Sequence, residues 1–388
     1  MLRHFTRFHT VAFWCTCVYV FLVHNQMWTR DGAYASDTAG HANYVLQPGQ
    51  AELSGYSLLH TICGVFYGLP NVAEANHFMI AAGVMTLLLA GAFYHSLLLV
   101  HGYWTEKYPG ATGSRIPVLT VTAFVVSMIL LVPWVHSAYL GVFTGNPWHN
   151  PTYSFARVFA IGAVLAFLRL TDPEKAAAGI SVTGYLVLAT AATLSAWSKP
   201  SFMLTLGPTF GLVALLAWLR GKMTWTQVWR LAACLVPTVV VVLIIRQKIF
   251  AHPGASNAVV IRPGLVWGHY ASSYALALAF GAGFPLYVAA VRWRSISPGL
   301  FVGLVNWVVS ALVFYLFAED GSRALHANFA WSYMGGLFFF FLFAMEEWFL
   351  RSTTDRTWLR WVGLALFVAH GLSGLRYLLI ILGGGSYL

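Results

Sequence analysis

Charge is scarce in this chain. Only 9% of its 388 residues are Asp, Glu, Lys or Arg, and the acids number 12. Ordinary soluble domains carry roughly a quarter of their residues charged, so a soluble globular protein is excluded. Cysteine is scarce too. Cys15, Cys17, Cys63 and Cys234 stand at spacings that build neither a disulfide framework nor a zinc site. There is no internal repeat and no pair of short, broken apolar segments in matching positions of two halves, which counts against transporters built from such repeats. Alternation of apolar and polar residues in short segments is missing as well; continuous runs such as LVPTVVVVLII exclude a β-barrel.

What the chain has in quantity is apolar surface, at 59% of its residues. About 20 apolar residues cross a bilayer as a helix. Runs of this kind lie at 10–28, 77–101, 116–140, 153–170, 179–197, 202–219, 231–249, 271–291, 298–318, 328–350 and 361–381. The expectation is therefore an all-α polytopic membrane protein of about eleven spans, forming a single integral-membrane domain over 1–388. Fourteen of the 22 basic residues, among them Arg3, Arg7, Lys107, Arg169, Arg220, Arg230, Arg292 and Arg351, fall on one side when the N-terminus is placed inside. This predicts an N-in/C-out chain in a bacterial inner membrane. The net charge of +10 is then topogenic, and no nucleic-acid partner is expected. Ala33-Tyr34-Ala35 matches a signal-peptide cleavage pattern but lies well past the first apolar core, so the first run is expected to remain as an anchor.

On that topology the polar chemistry gathers on the outer side. The outer loop over 29–76 holds TRDGAYASDTAGHANYVLQ and the apolar YSLLHTICGVFYG, which is too short to cross and suits a juxtamembrane helix. Asp37 and His41, four apart, share one helical face with Tyr44. One carboxylate here, Asp37 or its competitor Asp31, is expected to act as general base on an attacking hydroxyl. Its neighbour His41 completes the candidate catalytic set. Tyr56 and His60 repeat the four-residue spacing on the next segment.

Further outer candidates follow along the chain. NPWHNPTY offers His149 and Asn150 in a turn-rich loop, with Arg157 one turn inside the next run. SKPSF offers Lys199, and Arg246, Lys248 and Arg262 add positive charge further on. EDGSRALHANFAW packs Glu319, Asp320, Arg323, His326 and Asn328 within ten residues. His370 and Arg376 lie in the last run, where ionisable groups need partners. Arg157, Lys199, Arg262, Arg323 and Arg376 are five cations at one expected depth. Their planar or point charges suit phosphate oxygens, so a lipid-linked phosphate or diphosphate at the outer interface is the expected ligand.

An acid soon after the first span, a juxtamembrane helix before the second and about eleven spans resemble the GT-C class of integral-membrane glycosyltransferases. SDTAGH, YSLLH, NPWHNPTY, SKPSF, EDGSRALHANFAW and HGLSGLRY also look like a set found in bacterial membrane proteins associated with surface polysaccharides. The resemblance implies a polyprenyl-linked sugar donor, a glycan or lipid acceptor activated by Asp37 or Asp31, and inverting transfer facing the periplasm. No cofactor follows from it with certainty. Asp31 and Asp37 stand six apart rather than adjacent, and no H-x-x-x-H spacing offers ligands, so a divalent metal is left open. Two other readings stand beside the transferase: a surface-polysaccharide polymerase or ligase working through outer-loop arginines and histidines, and a lipid-linked-glycan transporter or flippase dependent on His370 and Arg376.

Overall fold

The computed structural model describes residues 2–28, 37–46, 57–67, 77–111, 115–125, 150–173, 182–250, 258–351 and 356–382. Where water is scarce, backbone N–H and C=O groups must be satisfied within their own segment, and the apolar runs fold as helices for that reason. In chain order these are α1 (Leu2–Trp28), α2 (Thr38–Leu46), α3 (Leu58–Tyr67), α4 (His77–Lys107), α5 (Arg115–Val125), α6 (Pro151–Leu170), α7 (Val182–Ser198), α8 (Met203–Leu219) and α9 (Trp225–Phe250). A short strand β1 (Val259–Ile261) precedes α10 (Leu265–Tyr270), α11 (Tyr274–Gly281), α12 (Gly283–Val291) and α13 (Pro298–Leu316). Strand β2 (Phe317–Glu319) continues directly from α13, and α14 (Ala330–Met345) and α15 (Thr357–Leu382) complete the order. β1 and β2 pair antiparallel, with Val260 opposite Ala318.

The expected eleven spans are corrected by the structure. Among the described residues six helices are long and apolar enough to cross a membrane, or seven if a bent pair counts as one span. The reason is continuity. Crossing needs about 30 Å of unbroken helix at about 1.5 Å per residue. The runs at 179–197 and 202–219 give α7 and α8, each of 17 residues. The run at 271–291 breaks between α11 and α12 with a bend of 71°. The first run forms the 27-residue α1, within which Arg7–Leu22 is the apolar stretch, and the third run extends past the described residues. Six crossings would return the C-terminus to the side of the N-terminus and seven would not, so the N-in/C-out reading loses the span count it accompanied.

The core forms around α14, all 16 of whose residues are buried. Such a helix, apolar on every side, belongs in the middle of a large assembly. It packs most closely on α13, and small residues make this approach possible. A Cβ on Gly336 would stand 2.0 Å from Ser310 Oγ and 2.9 Å from the carbonyl oxygen of Asn306. α6 packs on α7 and on α4, and α7 in turn on α9, which lies at the periphery and exposes Val236, Val239, Val240 and Leu243.

The two ends of this bundle differ. At the C-terminal end of α14 a π-helical turn, Glu346–Leu350, buries two acids. Glu346 accepts hydrogen bonds from Trp104 Nε1 at 3.1 Å and Tyr108 OH at 2.9 Å, and pairs with Lys107. Glu347 pairs with Arg351 at 2.6 Å and lies 3.7 Å from Arg292. These contacts tie α14 to the ends of α4 and α12 and give both buried acids a counter-charge. The opposite end, at the N-termini of α6, α8 and α14 and the C-termini of α9 and α13, is hollow.

Candidate functional site

The hollow is built from helix ends. Asn150 caps α6: its backbone is extended, Pro151 follows at the first helical position, and its side-chain Oδ1 accepts from Tyr153 N–H at 3.0 Å. This satisfies one of the donors that every helix start leaves open. Thr152 Oγ1 donates to the same Oδ1 at 2.7 Å. The other face of the amide, Nδ2, lies 3.3 Å from Asp37 Oδ2 and 3.3 Å from His41 Nε2. Asp37 precedes α2 and its backbone carbonyl accepts the N–H of His41 at 3.0 Å, so helix geometry alone brings the two side chains to one face.

His41 is held from behind. Its Nδ1 lies 2.8 Å from Nε2 of His60, and Tyr44 meets its ring edge-on with centroids 5.5 Å apart. His60 is buried on α3, whose preceding Ser57 donates to the carbonyl of Ser198 at 2.7 Å. That bond fastens α3 to the turn that carries Lys199. Burial, reinforced by the Lys199 charge, pushes the His60 imidazole down to about 4, so it is neutral at ordinary pH.

Lys199 occupies the tight turn between α7 and α8 and is buried, with Nζ 4.9 Å from the centroid of Trp331. Burial pushes its ammonium down to about 8; Asp37 and Glu319 work against this and Arg323 with it. Those three charges therefore surround one amine. Glu319, at the end of β2, pairs with Arg323 at 3.1 Å across one turn. Between them and α14 the chain reverses at Ala327, which takes φ 55°, a left-handed conformation that disfavours any side chain. The reversal places Asn328 and Trp331 in the cavity wall.

Together these residues line a cavity of about 840 Å3. One side is polar: Asp37, His41, Asn150, Lys199, Ser201, Glu319, Arg323, His326 and Asn328. The other is apolar but for Arg246 of α9: Leu204 of α8, Val242, Ile245 and Ile249 of α9, Val313 of α13, and Phe317 and Phe329 beside α14. Leu204 and Val259 of this wall are exposed and Ile249 is half-buried, so the cavity opens on its apolar side.

Of the residues singled out in the sequence, Asp37, His41, Asn150, Lys199, Glu319, Arg323, His326 and Asn328 stand in this wall, and His60 stands directly behind it. Four do not. Arg157 is buried lower in α6, its guanidinium 5.3 Å from the ring centroids of both Phe124 and Phe338. Arg262 pairs with Asp320 at 3.0 Å on the exposed edge of the β1–β2 ribbon. His370 is buried against Phe341, with Nε2 accepting Phe284 N–H at 3.4 Å, and Arg376 is exposed on α15. Asp31 and His149 lie outside the described residues. Arg246 and Trp331 belong to the wall without having been singled out as ligands. A signal for Arg246 did exist: Val242, Ile245, Arg246 and Ile249 follow the spacing of one helical face. Among the described residues no three His, Cys, Asp or Glu side chains gather as a metal site.

No protein-family model matches this chain, and no curated protein matches it either. Several long apolar helices make it a helical protein of the membrane.

Proposed function

We propose that this protein is a membrane glycosyltransferase that moves a sugar from a polyprenyl-phosphate-type donor to a hydroxyl of a glycan or lipid acceptor. The observation that supports this is the two-sided cavity, which has a carboxylate and a cationic group on one wall and an apolar, open flank on the other. A donor with a charged phosphate and a long apolar tail matches that division. Asp37 takes the proton of the acceptor hydroxyl. The acceptor oxygen attacks the anomeric carbon from the face opposite the phosphate, the carbon–oxygen bond to phosphate breaks, and its electron pair leaves with the phosphate. Lys199, Arg323 and Arg246 neutralise the charge that develops there. The transport reading has less support, because His370 and Arg376 are both away from the cavity.

The cavity end is assigned to the outer face of a bacterial inner membrane. Support comes from the far end, where Trp218, Trp225, Trp229, Trp358 and Trp361 are exposed beside Arg220, Lys222, Arg230, Arg356 and Arg360. Aromatic belts mark membrane interfaces, and cations favour the cytoplasmic one.

Purified protein reconstituted with polyprenyl-phosphate sugars should transfer the sugar, and Asp37→Asn should abolish turnover while abundance and thermal stability stay at the wild-type level. Full transfer by Asp37→Asn would sink the assignment.

A further inference from the structure

Two groups that meet at the cap of α6, Asp37 and His41, are chemically able to accept a proton, and that cap decides between them. Asn150 has one amide oxygen and one amide nitrogen. The oxygen is committed, since it accepts from Tyr153 N–H at 3.0 Å and Thr152 Oγ1 at 2.7 Å. Reversing the amide would turn its NH2 onto two donors, so the orientation is fixed by the helix start itself. The nitrogen then carries two hydrogens toward two acceptors, Asp37 Oδ2 and His41 Nε2, each 3.3 Å away.

A consequence follows for His41. A nitrogen that accepts an N–H holds a lone pair and no proton, so the neutral ring carries its hydrogen on Nδ1. That N–H faces His60 Nε2 at 2.8 Å, and His60 receives it because its own ring is neutral. Both nitrogens of His41 are thereby engaged, one with Asn150 and one with His60. Asp37, by contrast, is exposed at the cavity, and its Oδ2 receives the second N–H of the same amide.

We propose that Asn150 is the positioning residue of the transfer site: through its capping geometry it anchors the Asp37 carboxylate and locks His41 as the Nδ1–H tautomer, leaving Asp37 as the base. This rests on the transferase reading for its catalytic meaning, but the tautomer follows from the hydrogen bonds alone.

The test uses the full-length protein in lipid nanodiscs with histidine ring nitrogens labelled with 15N, the His41 signals being assigned by their absence in His41→Gln. Wild-type His41 is expected to show a protonated Nδ1 and an unprotonated Nε2. Asn150→Asp keeps a good cap but replaces both donors with an acceptor. It should move a proton onto His41 Nε2 and lower kcat by about tenfold or more, with KM for the donor changed by less than about twofold. Asn150→Ser, which also caps well, should lower kcat in the same way and serves if Asn150→Asp does not fold. A wild-type His41 protonated on Nε2 overturns the proposal, as does a wild-type kcat in both variants. If the wild-type protein transfers no sugar at all, the transferase reading fails, and the nitrogen spectrum, which needs no substrate, still decides the role of Asn150.

Discussion

A buried ammonium such as that of Lys199 is expensive to keep charged, and the proposed transfer would put that charge to use. Its neighbours are two carboxylates and an arginine, so an incoming anion meets a cation already stripped of water. The sign of its pH dependence follows. Below about 8 the amine is protonated and holds an anion; as the pH rises through about 8 the proton and the attraction are lost together. Sulfate, whose own charge is constant in this range, should therefore bind less tightly at pH 9 than at pH 7 by calorimetry. Lys199→Gln should weaken binding at pH 7 by about tenfold and flatten the pH dependence. At this scale much was legible in the order of residues. Asp37 with His41, and Glu319 with Arg323, are four apart and meet for that reason alone, whereas Asn150, read in the sequence as part of a turn-rich loop, is shown as a helix cap by the structure. Arg157, His370 and Arg376 were not legible in the same way. Whether a polar group on a span faces a cavity, a ring or the lipid depends on how the helix is turned about its axis, and local spacing is silent on that.

The elements that matter most to the cavity are α13 and α14, because one ends and the other begins at its wall. Their close approach depends on glycine. A methyl at Gly336 would meet Ser310 Oγ and the backbone oxygen of Asn306, and backbone does not yield cheaply. Gly336→Ala should destabilise the protein by about 1–3 kcal/mol, read as a lowered unfolding temperature in detergent, and Gly336→Ala with Ser310→Gly should recover part of the loss. Loss of the same size in both variants would show that the Asn306 carbonyl, not the hydroxyl, sets the limit. Hydropathy is equally silent on which of the helices able to cross are buried by protein. α14 is as apolar as any lipid-facing helix, yet it is buried by protein, while α9 faces outward over most of its length. Hydropathy registers both alike.

At the scale of the whole molecule the two ends have opposite designs. One end closes with Glu346 and Glu347 paired to Lys107, Arg351 and Arg292; the other leaves Lys199, Arg246 and Arg323 around a cavity. In a background free of the native cysteines, single cysteines at His326 and Arg360 should react with a membrane-impermeant maleimide from opposite sides of sealed vesicles. Labelling of both from one side would contradict the end-to-end polarity of the bundle. α14 carries this polarity most directly, with Trp331 of its first turn in the cavity wall and the paired acids Glu346 and Glu347 at its other end.

Composition by itself determined that this is a helical membrane protein, because a chain with so few charges and so many long apolar runs has no other way to satisfy its backbone. Short-range spacing determined the local pairs. Tertiary packing alone decided which apolar runs are long enough to cross, and which helices sink into the core. It alone decided that the ends of five helices surround one amphipathic cavity. Those outcomes depend on contacts between residues more than a hundred positions apart, such as Asn150 with Asp37 and His41, and no local window of sequence contains both partners.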